Sequence, residues 1–400
     1  MESSLFRDRD FRLVAGSVGL SALGDWVAIV ALGLFIGEQT DSGWLVAALW
    51  ICLFGPSVVV AGFAGVLVDR VETTRLLSMV STAGTAVAIA LAFTSAVPLA
   101  LILTAMLGVV FAISQPAEFA LVPPLAGERV QEANGHVETA RYVGFGVGPL
   151  LGGFLFSWGG LELAMLVDAA TFGAVAVAAR MLRIKRAPGE LKEGETAPRA
   201  RDGITYLYRD QILALVMTVA FVSLFFMSAV WVGELFFVED VLEMGDVAYA
   251  SMFSVWTVGM ALGALLLSRR VAAGALAVAG LAAAAIQGAA LALPTLWLSF
   301  AFFLACAFVG GSAHGVKNVM YRSLIHTRVP HNLHGRAFAA YNAIRNTAEL
   351  GAFAAGGLLV ATIGPRGTLA YAGGLSALVG FIGLLALLRL KQEAVATETA

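Results

Sequence analysis

Residues 135–160 read GHVETARYVGFGVGPLLGGFLFSWGG. After Arg141 no charge follows until Glu162, so the run is long enough to cross a hydrocarbon core of roughly 30 Å as an α-helix. Glycines in such numbers weaken a helix in water, but in lipid they let neighbouring backbones approach closely. Sliding the stretch along the chain by 204 residues lays Arg141 on Arg345, Gly152-Gly153 on Gly356-Gly357 and Gly160 on Gly364. The sequence therefore reads as a parallel duplication, in which two halves each carry this element fifth among their spans.

The rest of the chain has the same solvent. Of 400 residues, 59% are hydrophobic and 13% charged, against about 25% charged in a soluble domain, and the mean hydropathy is +0.86. Apolar runs bounded by charges, Pro or Gly predict twelve transmembrane helices near 13–36, 44–68, 76–95, 98–121, 135–157, 162–183, 212–237, 247–267, 275–293, 296–320, 337–362 and 368–389. Only Pro294 separates the ninth from the tenth. Period-two alternation is absent, which excludes a closed barrel. The fold class is all-α and integral to the membrane, as two pseudo-symmetric six-helix bundles: 1–183, a polar linker at 184–211, then 212–390 and a tail at 391–400. Such parallel repeats place a substrate site between the halves near the midplane.

Charge sets the orientation. With both termini cytoplasmic, 21 of the 25 Lys and Arg fall on the inner side. Arg366 alone falls in an outer loop, while Arg141, Lys317 and Arg345 lie within spans. The expected location is a bacterial-type inner membrane, with an uncleaved first helix serving as insertion signal. Cys52 and Cys306 sit in apolar runs and offer neither a disulfide nor a metal site.

After the second span the chain reads GVLVDRVETTR, residues 65–75. With Gly65, Leu67, Asp69 and Arg70 it resembles the loop 2–3 signature of the Major Facilitator Superfamily, although Glu72 replaces a glycine and Arg75 supplies a displaced basic residue. The resemblance implies a cytoplasmic latch in which Asp69 meets the helix end near Arg336. Gly135, Gly144, Gly148, Pro149, Gly152 and Gly153 are similar to the antiporter motif of drug:proton exporters, which implies export. LFRDRDFRL before the first span, LGDW within it and GITYLYRDQ entering the seventh resemble the macrolide-efflux and siderophore-exporter branch.

Ionisable residues inside spans cost about 2.5–3.5 kcal/mol each and mark function or pairing. Asp25, deep in the first span, is the candidate for proton coupling or for binding a cationic substrate. Asp168 reads as a structural hydrogen bond, and Glu349 as an i,i+4 partner of Arg345. Lys317 either snorkels to the cytoplasm or compensates a carboxylate such as Asp25. Glu118, Glu138 and Arg141, with Arg322, Asn342 and Arg345 as counterparts in the second half, are expected to form an inner gate together with Arg75. Trp26, Trp50, Phe54, Phe226, Met227 and Trp231 would line an accommodating pocket, while Trp44, Trp158 and Trp297 read as interfacial anchors.

No phosphate-binding loop is present, so ATP is not the expected energy source. The five histidines have no metal-ligand spacing, and no enzyme motif occurs. The expected protein is a monomeric secondary transporter that exports a small amphipathic compound by proton antiport, in contact with lipid and protons and not with nucleic acid. An uptake permease, or a non-transporting sensor or scaffold, is the alternative.

Overall fold

The computed structural model describes residues 5–40, 42–126, 129–184, 200–330 and 334–399, apart from side chains at 61–66, 68–70, 130–132, 200–203, 267, 269, 273, 334–336, 339 and 393–399. Gly65, Asp69, Arg70 and Arg336 of the expected gate, and 185–199 of the expected linker, lie outside the described residues.

Among the described residues all regular structure is helical: α1 (Arg9–Gln39), α2 (Gly43–Arg70), α3 (Thr73–Ala92), α4 (Val97–Ala120), the short α5 (Val122–Ala126), α6 (Val130–Met181), α7 (Ala200–Leu207), α8 (Gln211–Phe236), α9 (Asp246–Leu262), α10 (Leu276–Ala292), α11 (Phe300–Arg328) and α12 (His334–Thr399). Ten of the helical stretches are long and apolar enough to cross a membrane. Two of these are hairpins rather than rods. Gly160 (φ 63°) and Gly364 (φ 72°) break α6 and α12 in a backbone region closed to residues with a Cβ.

Contacts along each arm establish the reversal. Gly144 lies against Gly19 and Gly152 against Val27, so the first arm of α6 runs parallel to α1. In the second arm Thr171 lies against Gly24 and the Met181 carbonyl accepts from Arg9 at 3.1 Å, an antiparallel course. Likewise Gly356 sits on Ala229 and Val232 of α8 before the break, while Thr368 beside Gly233, and Gly383 beside Val219, run the other way after it. Counting both arms of each hairpin gives the twelve spans expected from hydropathy. The weak ninth-to-tenth division is real: a 3₁₀ turn, Leu293–Thr295, separates α10 from α11. Arg366 donates twice, at 3.0 and 2.7 Å, to the Thr295 carbonyl in that turn.

The chain forms two compact units: 1–41, 48–195 and 245–254 in the first, 42–47, 196–244 and 255–400 in the second. In the first, Asp8 caps α1 through the backbone N–H groups of Asp10 and Phe11. The buried Asp10 carboxylate accepts from the N–H groups of Arg183 and Ile184 at 2.8 and 2.9 Å, tying the end of α6 to the start of α1. Phe11, Leu76, Leu121 and Val175 pack in the apolar core below. In the second unit Asp210 caps α8 at the Leu213 N–H and pairs with Arg328 at 2.9 Å. Burial works against its charged form, but the Arg328 guanidinium and the backbone donors together outweigh it and hold its carboxyl below the ordinary range.

Candidate functional site

The first unit gathers its buried charge around one face of α1. Asp25 is 8% exposed, Glu118 of α4 5% and Asp168 of α6 0%. Both Glu118 and Asp168 lie within electrostatic range of Asp25, and the Ser21 side chain, one turn before it, is in hydrogen-bonding reach of Asp25 and Glu118. Gly24 makes this possible, because a Cβ there would stand 2.7 Å from the Asp168 Oδ1 and would collide with the Thr171 hydroxyl. Thr171 donates to the Asp168 carbonyl at 2.8 Å and more weakly to its Oδ1 at 3.5 Å. Oδ2 of Asp168 and Oε1 of Glu118 have no hydrogen-bond partner among the described residues. A buried carboxyl oxygen left so costs stability.

Arg141 borders this group. It pairs with Glu138 one turn earlier at 2.5 Å and lies over the Phe119 ring at 4.6 Å. Beyond it Trp26 meets Phe145 at 5.7 Å and Phe253 at 5.5 Å between centroids, and Trp50 stacks on Phe54 at 5.8 Å. The glycine-rich arm explains how α6 comes so near. A Cβ at Gly144 would stand 2.6 Å from the Gly19 oxygen, at Gly148 2.7 Å from that of Leu23, and at Gly152 2.8 Å from that of Val27. Gly153 faces Ala250 in the same unit, and a Cβ at Gly135 would meet nothing within 4 Å among the described residues. Pro149 lies inside the helix. Glu72 supplies the N-cap of α3, accepting from Thr74 and Arg75, which accounts for an acidic residue where a glycine was expected.

The second unit is built differently. Lys317 of α11 is 3% exposed and donates from Nζ to the Gln287 Oε1 of α10 at 2.6 Å. Its buried position rules out snorkelling, and among the described residues it pairs with no carboxylate. The Gln287 amide nitrogen is 3.2 Å from His314 Nδ1 and also contacts Met227, and the His314 ring lies 5.9 Å from that of Trp256. Arg345 and Glu349 form the expected i,i+4 pair at 3.3 Å. Trp231 packs near Phe353 at 6.4 Å, and Phe226 meets Phe225 at 5.5 Å.

Three functional candidates escaped the sequence reading. Gln287 and His314 are polar residues in an Ala- and Gly-rich context; His314 stands one turn before Lys317 on α11, and only the register of α10 against α11 brings Gln287 to both. Glu234 of α8 is 2% exposed, with Oε2 unpartnered among the described residues. Its signal was present, since an acid seven places from the end of the span Gln211–Val241 is an intramembrane charge.

Comparison with known proteins agrees with this architecture. The pattern of the Major Facilitator Superfamily matches residues 14–352. The chain is 25% identical, over 96% of its length and 95% of the relative's, to the uncharacterized MFS-type transporter YfiS of Bacillus subtilis (strain 168). Among solved structures it is similar to the nucleoside transporter NupG, with a TM-score of 0.75 at 13% identity over 94% of this chain and 99% of that one. It is also similar to the human organic anion transporter MFSD10 (TETRAN), with a TM-score of 0.64 at 15% identity over 94% and 100%. With helices hairpinned at matching glycines, buried charge inside both units and the superfamily pattern over most of its length, the chain belongs to the Major Facilitator Superfamily and is a multi-pass membrane transporter.

Proposed function

We propose that this transporter exports a small amphipathic compound in exchange for protons, by alternating access. The observation that carries the reading is the carboxyl group of Asp25 with those of Glu118 and Asp168 around α1, two of them with an oxygen unpartnered among the described residues. A carboxyl shut from water in one state and reached by it in the other can take up a proton on one side and release it on the other. Arg141 and its partner Glu138 stand beside this group as the switchable contact, with Arg345 and Glu349 as their counterpart in the second unit. Trp26, Phe145 and Phe253 offer an apolar surface to the substrate. The glycine pattern of α6, similar to that of drug:proton exporters, supports the outward direction. The reading takes the proton gradient as energy source, needs no nucleotide and works in a monomer with cytoplasmic termini.

The test is substrate accumulation in inverted vesicles under an imposed pH gradient, parent against Asp25→Asn. The substitution removes the titrating group and keeps its shape, and is expected to lower gradient-driven accumulation by about tenfold or more. Accumulation indifferent to both gradient and substitution would sink the reading. A second reading, uptake, is favoured by the fixed polar set Gln287, His314 and Lys317. Right-side-out vesicles decide it, since an uptake permease concentrates substrate in them.

A further inference from the structure

Lys317 has no ion-pair partner among the described residues. It is nine-tenths buried, its one hydrogen-bond acceptor is the neutral Gln287 amide oxygen, and among the described residues it forms no ion pair. Glu349 is within electrostatic range, but its carboxylate is engaged by Arg345 at 3.3 Å. A cation taken out of water loses several kcal/mol of hydration, which one neutral acceptor only partly restores. One turn further along α11 the Tyr321 hydroxyl is buried with no partner among the described residues. Gln287 has spent its oxygen on Lys317 and turns its nitrogen toward His314 and Met227. The neighbourhood thus offers the Lys317 ammonium no anionic acceptor of its own among the described residues, its acceptors being the neutral Gln287 oxygen and the His314 Nδ1 that faces the Gln287 amide. It is lined on the same side by Met227 and by Trp256 against the His314 ring.

We propose that this set is an anion site, in which Lys317 pairs with the carboxylate of an amphipathic substrate whose apolar body lies against Met227 and Trp256. The proposal deepens the transport reading and rests on it for the identity of the ligand as cargo. An ammonium offered a carboxylate forms a charge-assisted hydrogen bond, stronger than the neutral one it makes to Gln287. Gln287 then serves as a holder that keeps the lysine in place while the site is empty. The site is closed to solvent in this conformation, as an alternating site is in one of its states.

The experiment uses the full-length protein purified in chloride buffer, and equilibrium dialysis against a series of aryl-alkyl carboxylates, each paired with its carboxamide. The carboxylates are expected to bind about tenfold more tightly than their amides, the worth of one charge-assisted bond. Lys317→Met should bring that ratio to about one, and Lys317→Arg should keep most of it. No preference in the parent overturns the proposal whether or not a variant folds, and chloride occupancy would appear as that result. A preference that survives in Lys317→Met overturns it as well. Vesicle transport of the same series separates the two readings. Carboxylate preference without gradient-driven movement leaves the anion site and removes coupled export, while movement without preference does the reverse.

Discussion

A carboxyl oxygen without a partner in a helix bundle is either a cost the fold bears or a group in use, and substitution distinguishes these. Glu234→Gln keeps the shape of the side chain and removes any charge. If nothing holds the Oε2 of Glu234, the variant should unfold at the parent's temperature or above it, with a stability change within about 1 kcal/mol; thermal unfolding in detergent reads this directly. A large loss of stability would reveal a partner for the ionised form. Asp25 was legible in the sequence because depth along a helix follows from residue count at 1.5 Å per residue. What surrounds it was not, because the meeting of Glu118 and Asp168 at α1 depends on the rotation of three helices about their axes. Hydropathy is nearly blind to that rotation when spans are apolar on every side. The same blindness separated Lys317 from Gln287, thirty positions away on another helix.

Helix contacts give sharper expectations. Gly148 and Gly152 of α6 face backbone atoms of α1, so Gly148→Val or Gly152→Val must push the helices apart and should cost about 1–3 kcal/mol. Gly146, on the same arm, where a Cβ would meet nothing within 4 Å among the described residues, should accept Ala without loss. Aggregation temperature followed by size-exclusion chromatography compares the three, and equal losses at 146 and 148 would contradict the packing. At the start of α8, Asp210→Ala removes a cap and an ion pair and should cost about 1 kcal/mol. The Asp210 carboxyl sits below its ordinary range when folded, so its contribution is complete above the unfolded value of about 3.9 and fades as pH falls through the lower folded value. The melting difference between parent and Asp210→Asn should accordingly be constant near neutrality and shrink only in strong acid. The glycine pattern of α6 was legible as a motif, and its contact face became clear with the partner helix: Gly135 belongs to the pattern, yet a Cβ there would meet nothing within 4 Å among the described residues.

For the molecule as a whole, duplication is written in the sequence at Gly160 and Gly364, and the structure gives the reason for those glycines. Both hold a positive φ at a corner where the chain turns back and where an added Cβ would meet nothing within 4 Å among the described residues. Gly160→Ala and Gly364→Ala should therefore each cost about 1–3 kcal/mol from backbone strain alone, with similar values in the two halves. Unfolding of each variant in denaturant checks this, and a loss in one half only would show that the corners are not equivalent. Twelve spans were countable from hydropathy because lipid demands about 20 apolar residues per crossing. The tightness of the corners was not, since a Gly-rich end is equally compatible with a longer loop. That tightness has a bearing on biogenesis. With a glycine or two between its arms, neither α6 nor α12 can keep this corner while one arm lies in lipid and the other in water, so each hairpin is complete only once both of its arms have entered the bilayer.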